Sequence, residues 1–150
     1  LLVLAVLLGV AALAWVAIPS PPPRAHPQRK PVHFWHMWTA NWKVVVERIA
    51  TRFNESQDVY EVIPLSVPGS GANAKFLLSV TGGDPPDVMA QWNSVLPTWA
   101  ESGLIIPLDS LMSPDELESF KRTTYPIVTK NTTYMGRIWG IGAGMNAWAC

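Results

Sequence analysis

Asp84 and Asp87 stand three residues apart with Pro85 and Pro86 between them. Two close carboxylates invite comparison with a general acid–base pair. The prolines hold that segment extended, so the carboxylates are not expected to share a pocket. Asp84 reads as a turn residue and Asp87 as the start of a strand. His33 and His36 are also three apart, in a stretch of strand character. Side chains of a strand alternate faces, so this pair points to opposite sides and does not chelate one metal ion. Gly69-Ser70-Gly71 lacks the glycine spacing of a nucleophile elbow and the lysine of a P-loop. Cys150 is the single cysteine, which excludes an intrachain disulfide and a multi-cysteine metal site. No catalytic residue, metal ligand or cofactor site emerges.

Binding is the stronger reading. Gln91, Trp92 and Asn93 follow the short apolar run Val88-Met89-Ala90, and Trp38 and Thr39 follow another β-prone run. Open α/β sheets hold ligands just beyond the carboxyl ends of their strands. Indole faces stack on the apolar faces of sugar rings, while amide side chains bond the ring hydroxyls. Core packing competes with this role for Trp38 and Trp92. Trp35 and Trp42 fit core positions instead.

The elements that must position these residues can be read in order. Val32–Trp38 is predicted to be the first buried strand. Asn41 then caps a helix with Trp42, Val45, Val46, Ile49, Ala50 and Phe53 at the spacing of one apolar face, which predicts a helix packed on a sheet. Residues 54–58 form a turn, Val59–Val67 a second strand, and Pro68–Gly71 a loop. Ala72–Val80 is a short helix with Phe76, Leu77 and Val80 inward, stopped by Gly82-Gly83 through positive φ angles. Val88–Ala90 is the third strand. The order β-α-β-α-β predicts a parallel sheet with right-handed crossovers. A helix over Val95–Ser102 with Leu96, Trp99 and Ala100 on one face ends at Gly103, followed by an irregular apolar segment, 104–109. Ser113, Pro114 and Glu116 form the start of a capping-box helix that runs to about Arg122. Tyr134–Ile141 is a hairpin on a Met-Gly turn, and the residues after it enter another strand.

The chain has 150 residues, enough for one domain, and its 49% apolar content excludes a disordered polar chain. Outside residues 1–31, 8 basic residues face 11 acidic ones, a net charge of −3, which excludes the basic stripe of a nucleic-acid binder. Residues 1–18 carry no charge and as a helix would span roughly 27 Å, close to the thickness of a bilayer core. A cleaved signal peptide with the Ala12-Leu13-Ala14 triplet, an uncleaved membrane anchor and a buried core helix compete, and export by either of the first two routes fits the polar tract that follows. Residues 19–31 read as a proline-rich basic spacer of polyproline II character. Leu1 and the strand-like end suggest a fragment of a longer protein.

Four stretches together resemble the bacterial extracellular solute-binding proteins of ABC importers, which include many sugar binders. They are the Trp-rich first strand with its helix ending Arg52-Phe53-Asn54, the Gly83–Val88 run, Gly103–Asp109, and Tyr134-x-Gly136-Arg137-Ile138-Trp139-Gly140-Ile141. The resemblance covers about residues 32–150. It implies an α/β, periplasmic-binding-protein-like (type II) lobe with a mostly parallel sheet, incomplete, behind an N-terminal export or anchor helix. It implies ligand trapped between two lobes by hinge closure, no catalysis, no cofactor, and delivery to permease subunits in the membrane. Trp38, Thr39, Gly69, Ser70, Trp92, Asn93, Met145 and Asn146 would face the cleft, beside Gln91. Lipoprotein members carry a cysteine after the export segment, and this chain does not. An exported hydrolase or a membrane-anchored sensing domain is the alternative.

Overall fold

Strand β1 (Lys30–His36) lies at the centre of a three-stranded parallel sheet, with β2 (Tyr60–Ser66) on one side and β3 (Val88–Met89) on the other. The computed structural model describes residues 23–143. The apolar segment 1–18, Met145 and Asn146 lie outside them. Among the described residues no helix is long and apolar enough to cross a membrane. The register is Val32 to Val62 and His36 to Ser66 across β1–β2, and Phe34 to Val88 and Trp35 to Met89 across β1–β3. Pro64 lacks an amide proton, and β2 tolerates it as an edge strand of this sheet.

Helix α1 (Ala40–Ser56) crosses from β1 to β2, and α2 (Gly69–Thr81) crosses from β2 back to β3. They cover opposite faces. Lys43 and Glu47 of α1 act on His36, whereas Lys75 of α2 sits 4.8 Å from the Trp35 ring. Opposite faces follow from two right-handed crossovers that travel in opposite directions.

The rotation of α1 differs from the predicted one. Trp42 is 67% exposed, and Val45, Ile49 and Phe53 are exposed with it, while Val46, Ala50 and Asn54 turn inward. Hydrogen bonds explain this. The Asn54 side-chain amide donates to the Val62 carbonyl at 3.0 Å and accepts from the Val62 amide at 2.8 Å. The Gln57 side chain accepts from the amides of Val59 and Tyr60 and donates to the Tyr60 carbonyl. These amides act as a substitute strand on the outer edge of β2, and they set the angle of the helix. Trp42 is therefore not a core residue here.

Helix α2 starts at Gly69, three residues earlier than predicted. Its buried residues are Ala72 and Phe76, and Leu77 is exposed. Only Gly83 of the glycine pair takes a positive φ, +77°, whereas Gly82 stays helical. Gly83 donates to the Val80 carbonyl and Asp84 to that of Ser79, a Schellman stop. Helix α3 (Leu96–Glu101) buries Trp99 against Phe76, with ring centroids 4.2 Å apart, and its indole N–H donates to Asn73.

Helix α4 (Pro114–Thr123) carries both bonds of the predicted capping box. Helix α5 (Pro126–Asn131) was not legible from periodicity. Strands β4 (Thr133–Tyr134) and β5 (Arg137–Ile138) form the predicted hairpin, shorter than expected. Met135 and Gly136 both have positive φ, the geometry of a type I′ turn. Arg137 grips Asp109 with two guanidinium nitrogens, and Asp109 also accepts from the Ile138 amide.

The spacer differs as well. Arg24 donates to Glu61 at 2.8 Å, the His26 amide donates to the same carboxylate, and Arg29 bonds the Asn54 carbonyl and Asp58. Residues 24–29 are thus strapped to β2, and the strand starts at Lys30 rather than Val32. Burial pushes the Glu61 carboxyl up, but the His26 amide and Arg24 outweigh it and hold it below its ordinary 4.5.

Trp99→Ala in the full-length protein is expected to cost about 3–5 kcal/mol in urea unfolding. A cost under about 1 kcal/mol would remove Trp99 from the core. The Arg137 hydrogen bonds likewise hold Asp109 below its ordinary 3.8. Both carboxylates bind fewer protons folded than unfolded, so their stabilisation is present above the carboxylate range and lost as pH falls through it. Glu61→Gln is expected to flatten part of that acid-side fall in the unfolding midpoint. An unchanged pH profile would refute the role given to the strap.

Candidate functional site

All three strands of the sheet are parallel, so their carboxyl ends meet at one edge. Trp38 and Thr39 lie at the centre, after β1. Gly69 and Ser70 follow β2, and Gln91, Trp92 and Asn93 follow β3. Neighbouring strands are about 4.8 Å apart, so the row from β2 to β3 is about 10 Å wide. The seven candidates within the described residues are thereby brought to one rim. Gly69 and Ser70 occupy the first turn of α2 rather than a loop. Two other depressions among the described residues lie elsewhere: an open groove of about 540 Å³ lined by Lys121, Pro126, Thr129, Lys130 and Thr133, and a smaller one beside His33 and Asp84.

Backbone bonds hold the rim in place. The Val67 amide donates to the His36 carbonyl at 2.8 Å, and the Ala90 amide to the Trp35 carbonyl at 2.8 Å. Ser66 donates its hydroxyl to the Trp38 carbonyl at 2.8 Å. Ala40, next to Thr39, has φ +49°, a left-handed conformation that costs a residue with a Cβ about 1–2 kcal/mol. The turn out of β1 is therefore held against its own preference.

Trp92 is 56% exposed, and its amide donates to the side-chain oxygen of Gln91. The Gln91 NH₂ group remains as a donor. Trp38 is half-buried, and its indole sits 5.9 Å from the His36 ring. The two tryptophans thus differ: Trp92 offers an open face, and Trp38 is built into the lobe.

Sequence reading missed two contributors. Helices α1 and α2 both begin at this rim, with Thr39 and Pro68 at their N-caps, no side-chain cap bond and no acidic residue in the first turn. Gly71 donates to the Pro68 carbonyl and Lys43 to that of Thr39, so the amides before them are the ones left for water or ligand. The pattern of a strand followed by a helix without a carboxylate in its first turn could have signalled them. His36 was the other, and it is 1% exposed with neither ring nitrogen hydrogen-bonded. Burial lowers its pKa, and Lys43 adds to this; Glu47 opposes it, as does the polar Trp38 backbone nearby, which makes no geometric hydrogen bond to the ring.

The chemistry candidates resolve into structure. Asp87 accepts from the His33 amide at 2.8 Å, which ties β3 to β1. His33 and His36 face apart: His33 lies 3.5 Å from Asp87 and is half-exposed, while His36 is buried. Among the described residues no group of three potential ligands gathers around a metal position.

Residues 39–140 match the model of the bacterial extracellular solute-binding proteins, and the chain belongs to that family. No curated protein matches the chain. Solved structures do. CpMnBP1 with mannotriose bound is 26% identical at a TM-score of 0.67, and the match covers 75% of this chain and 28% of that one. The GacH receptor of Streptomyces glaucescens GLA.O, solved unliganded and with acarbose, is 24% identical at 0.65 over 75% of this chain and 28% of that one. The maltose/maltodextrin-binding domain MalE from Bdellovibrio bacteriovorus, bound to maltotriose, shares the fold at 19% identity and a TM-score of 0.62, over 75% and 28% of the two chains. The chain therefore spans little more than a quarter of the length of these relatives. The fold is an incomplete periplasmic-binding-protein-like α/β lobe.

The difference between the two tryptophans is measurable. Trp92→Phe is expected to remove more acrylamide-quenchable emission than Trp38→Phe. Equal losses would contradict the exposure of the rim described above.

Proposed function

We propose that the chain forms part of the extracytoplasmic substrate-binding component of an ABC importer, which binds a sugar or oligosaccharide without catalysis and delivers it to a membrane permease. The rim of aromatic and amide side chains at three aligned strand ends, in a chain of the solute-binding family, carries this reading. Trp38, Thr39, Gly69, Ser70, Gln91, Trp92 and Asn93 carry no formal charge, which suits a neutral polyhydroxyl ligand. Trp92 supplies a stacking face, Gln91 and Asn93 bond hydroxyls, and the opening amides of α1 and α2 donate hydrogen bonds. Mannotriose and maltotriose, bound in the neighbouring structures, are of the same chemistry. Met145 and Asn146 complete the proposed contact set from the family resemblance. The segment 1–18 serves as signal peptide or anchor, and the mature lobe works at the periplasmic or extracellular face.

Half or more of such a cleft belongs to a second lobe, so the 150-residue chain alone is expected to bind weakly or not at all. The full-length protein is expected to change its tryptophan fluorescence with at least one member of a sugar panel, and Trp92→Ala to weaken that binding about tenfold, or about 1.4 kcal/mol. No response to any sugar would sink the carbohydrate reading. Unchanged affinity in Trp92→Ala would make Trp92 a packing residue and move the cleft.

A further inference from the structure

His36 is a polar residue in a place built for an apolar one. It lies at the last position of β1, 1% exposed, with neither ring nitrogen hydrogen-bonded. Its neighbours along the strand face are aromatic: the Phe34 ring is 5.6 Å away and tilted by 48°, and the Trp38 ring 5.9 Å away and tilted by 32°. A neutral imidazole joins such a stack as a flat, weakly polar ring. An imidazolium does so only by carrying a desolvated charge or by leaving the stack.

The backbone of Trp38 is already fixed by the Ser66 hydroxyl and by the kink at Ala40. The half-buried indole makes no hydrogen bond among the described residues, and its aromatic neighbour there is His36. We infer that His36 is a positioning residue for the candidate cleft: its neutral ring, packed between Phe34 and Trp38, holds the Trp38 indole at the strand end, and protonating it weakens sugar binding. This rests on the carbohydrate-binding reading.

The surroundings agree with that direction. Glu47 and Lys43 of α1 are the charged groups that act on His36, and they lie 3.6 Å apart as a half-exposed pair. Their opposite signs partly cancel, so neither rescues a buried cation. Ser66, its register partner on β2, is uncharged, and β3 pairs no further along β1 than Trp35. Burial favours the neutral form, which places the transition on the acid side of 6.5.

The test follows the protonation of His36 itself. In the full-length protein, NMR of labelled histidine and tryptophan across an acid titration is expected to move the Trp38 indole N–H with the same midpoint as the His36 ring. Calorimetric titration with mannotriose and maltotriose is expected to show binding about tenfold weaker below that midpoint than at about pH 7.5. His36→Phe, which keeps a flat ring without a proton to gain, is expected to lose that pH dependence. An indole signal that ignores the His36 midpoint overturns the inference, as does an imidazole that stays neutral until the protein unfolds. The same holds if the wild-type pH dependence persists in His36→Phe. If that variant does not fold, the NMR titration of the wild type decides. Sugar binding with no pH dependence sinks this inference alone, whereas no sugar binding at about pH 7.5 sinks the carbohydrate reading with it.

Discussion

Strand β1 is hydrogen-bonded on both sides, to β2 along its whole length and to β3 at its far end, and both ladders are parallel. The candidate site depends on that arrangement. Parallel pairing forces each connection to run the length of the sheet and return, so every strand delivers its carboxyl end to the same rim. Residues separated by more than fifty positions, Trp38 and Trp92, become neighbours in the same row without any direct bond between them. The helices that make the return journeys start at this rim, so their opening amides face the same way as the side chains.

Three ion pairs of the lobe lie away from that rim. Arg24 and Arg29 close residues 24–29 onto Glu61 and Asp58, and Arg137 closes the hairpin onto Asp109. These pairs join segments that are 28 to 37 residues apart. They fasten irregular segments to β2, to the turn before it and to the hairpin. The seven candidate residues at the rim carry no formal charge, and the nearby Lys43 of α1 is paired with Glu47.

Much of this could be read from residue order. The β-α-β-α-β rhythm, the Gly83 stop, the Ser113 capping box and the Met135-Gly136 turn each rest on local chemistry, and each has its predicted place. What failed was long-range. Trp42, Val45, Ile49 and Phe53 have the spacing of a buried stripe, but the Asn54 bonds to Val62 rotate them outward. Arg24 and Arg29 look like solvated linker charges until Glu61 and Asp58 are brought beside them by the fold. Helix α5 has six residues, too few for periodicity to register. At the candidate site the strand-end positions of Trp38 and Gln91–Asn93 were legible, because a strand announces where it stops. The burial of His36 was not: strand alternation puts Phe34 and Trp38 on its face, but does not say that the face will be covered so fully at that position.

The Asn54 and Gln57 amides on β2 have a consequence for architecture. They occupy backbone groups of the outer strand that another strand would need, and Pro64 removes one more donor there. That flank is closed to further pairing, which also keeps it from templating a neighbour's strand. The flank beyond β3 carries no such amide among the described bonds. The sheet is therefore polar in its growth: any strand added to it enters beside β3, the strand that Trp92 follows.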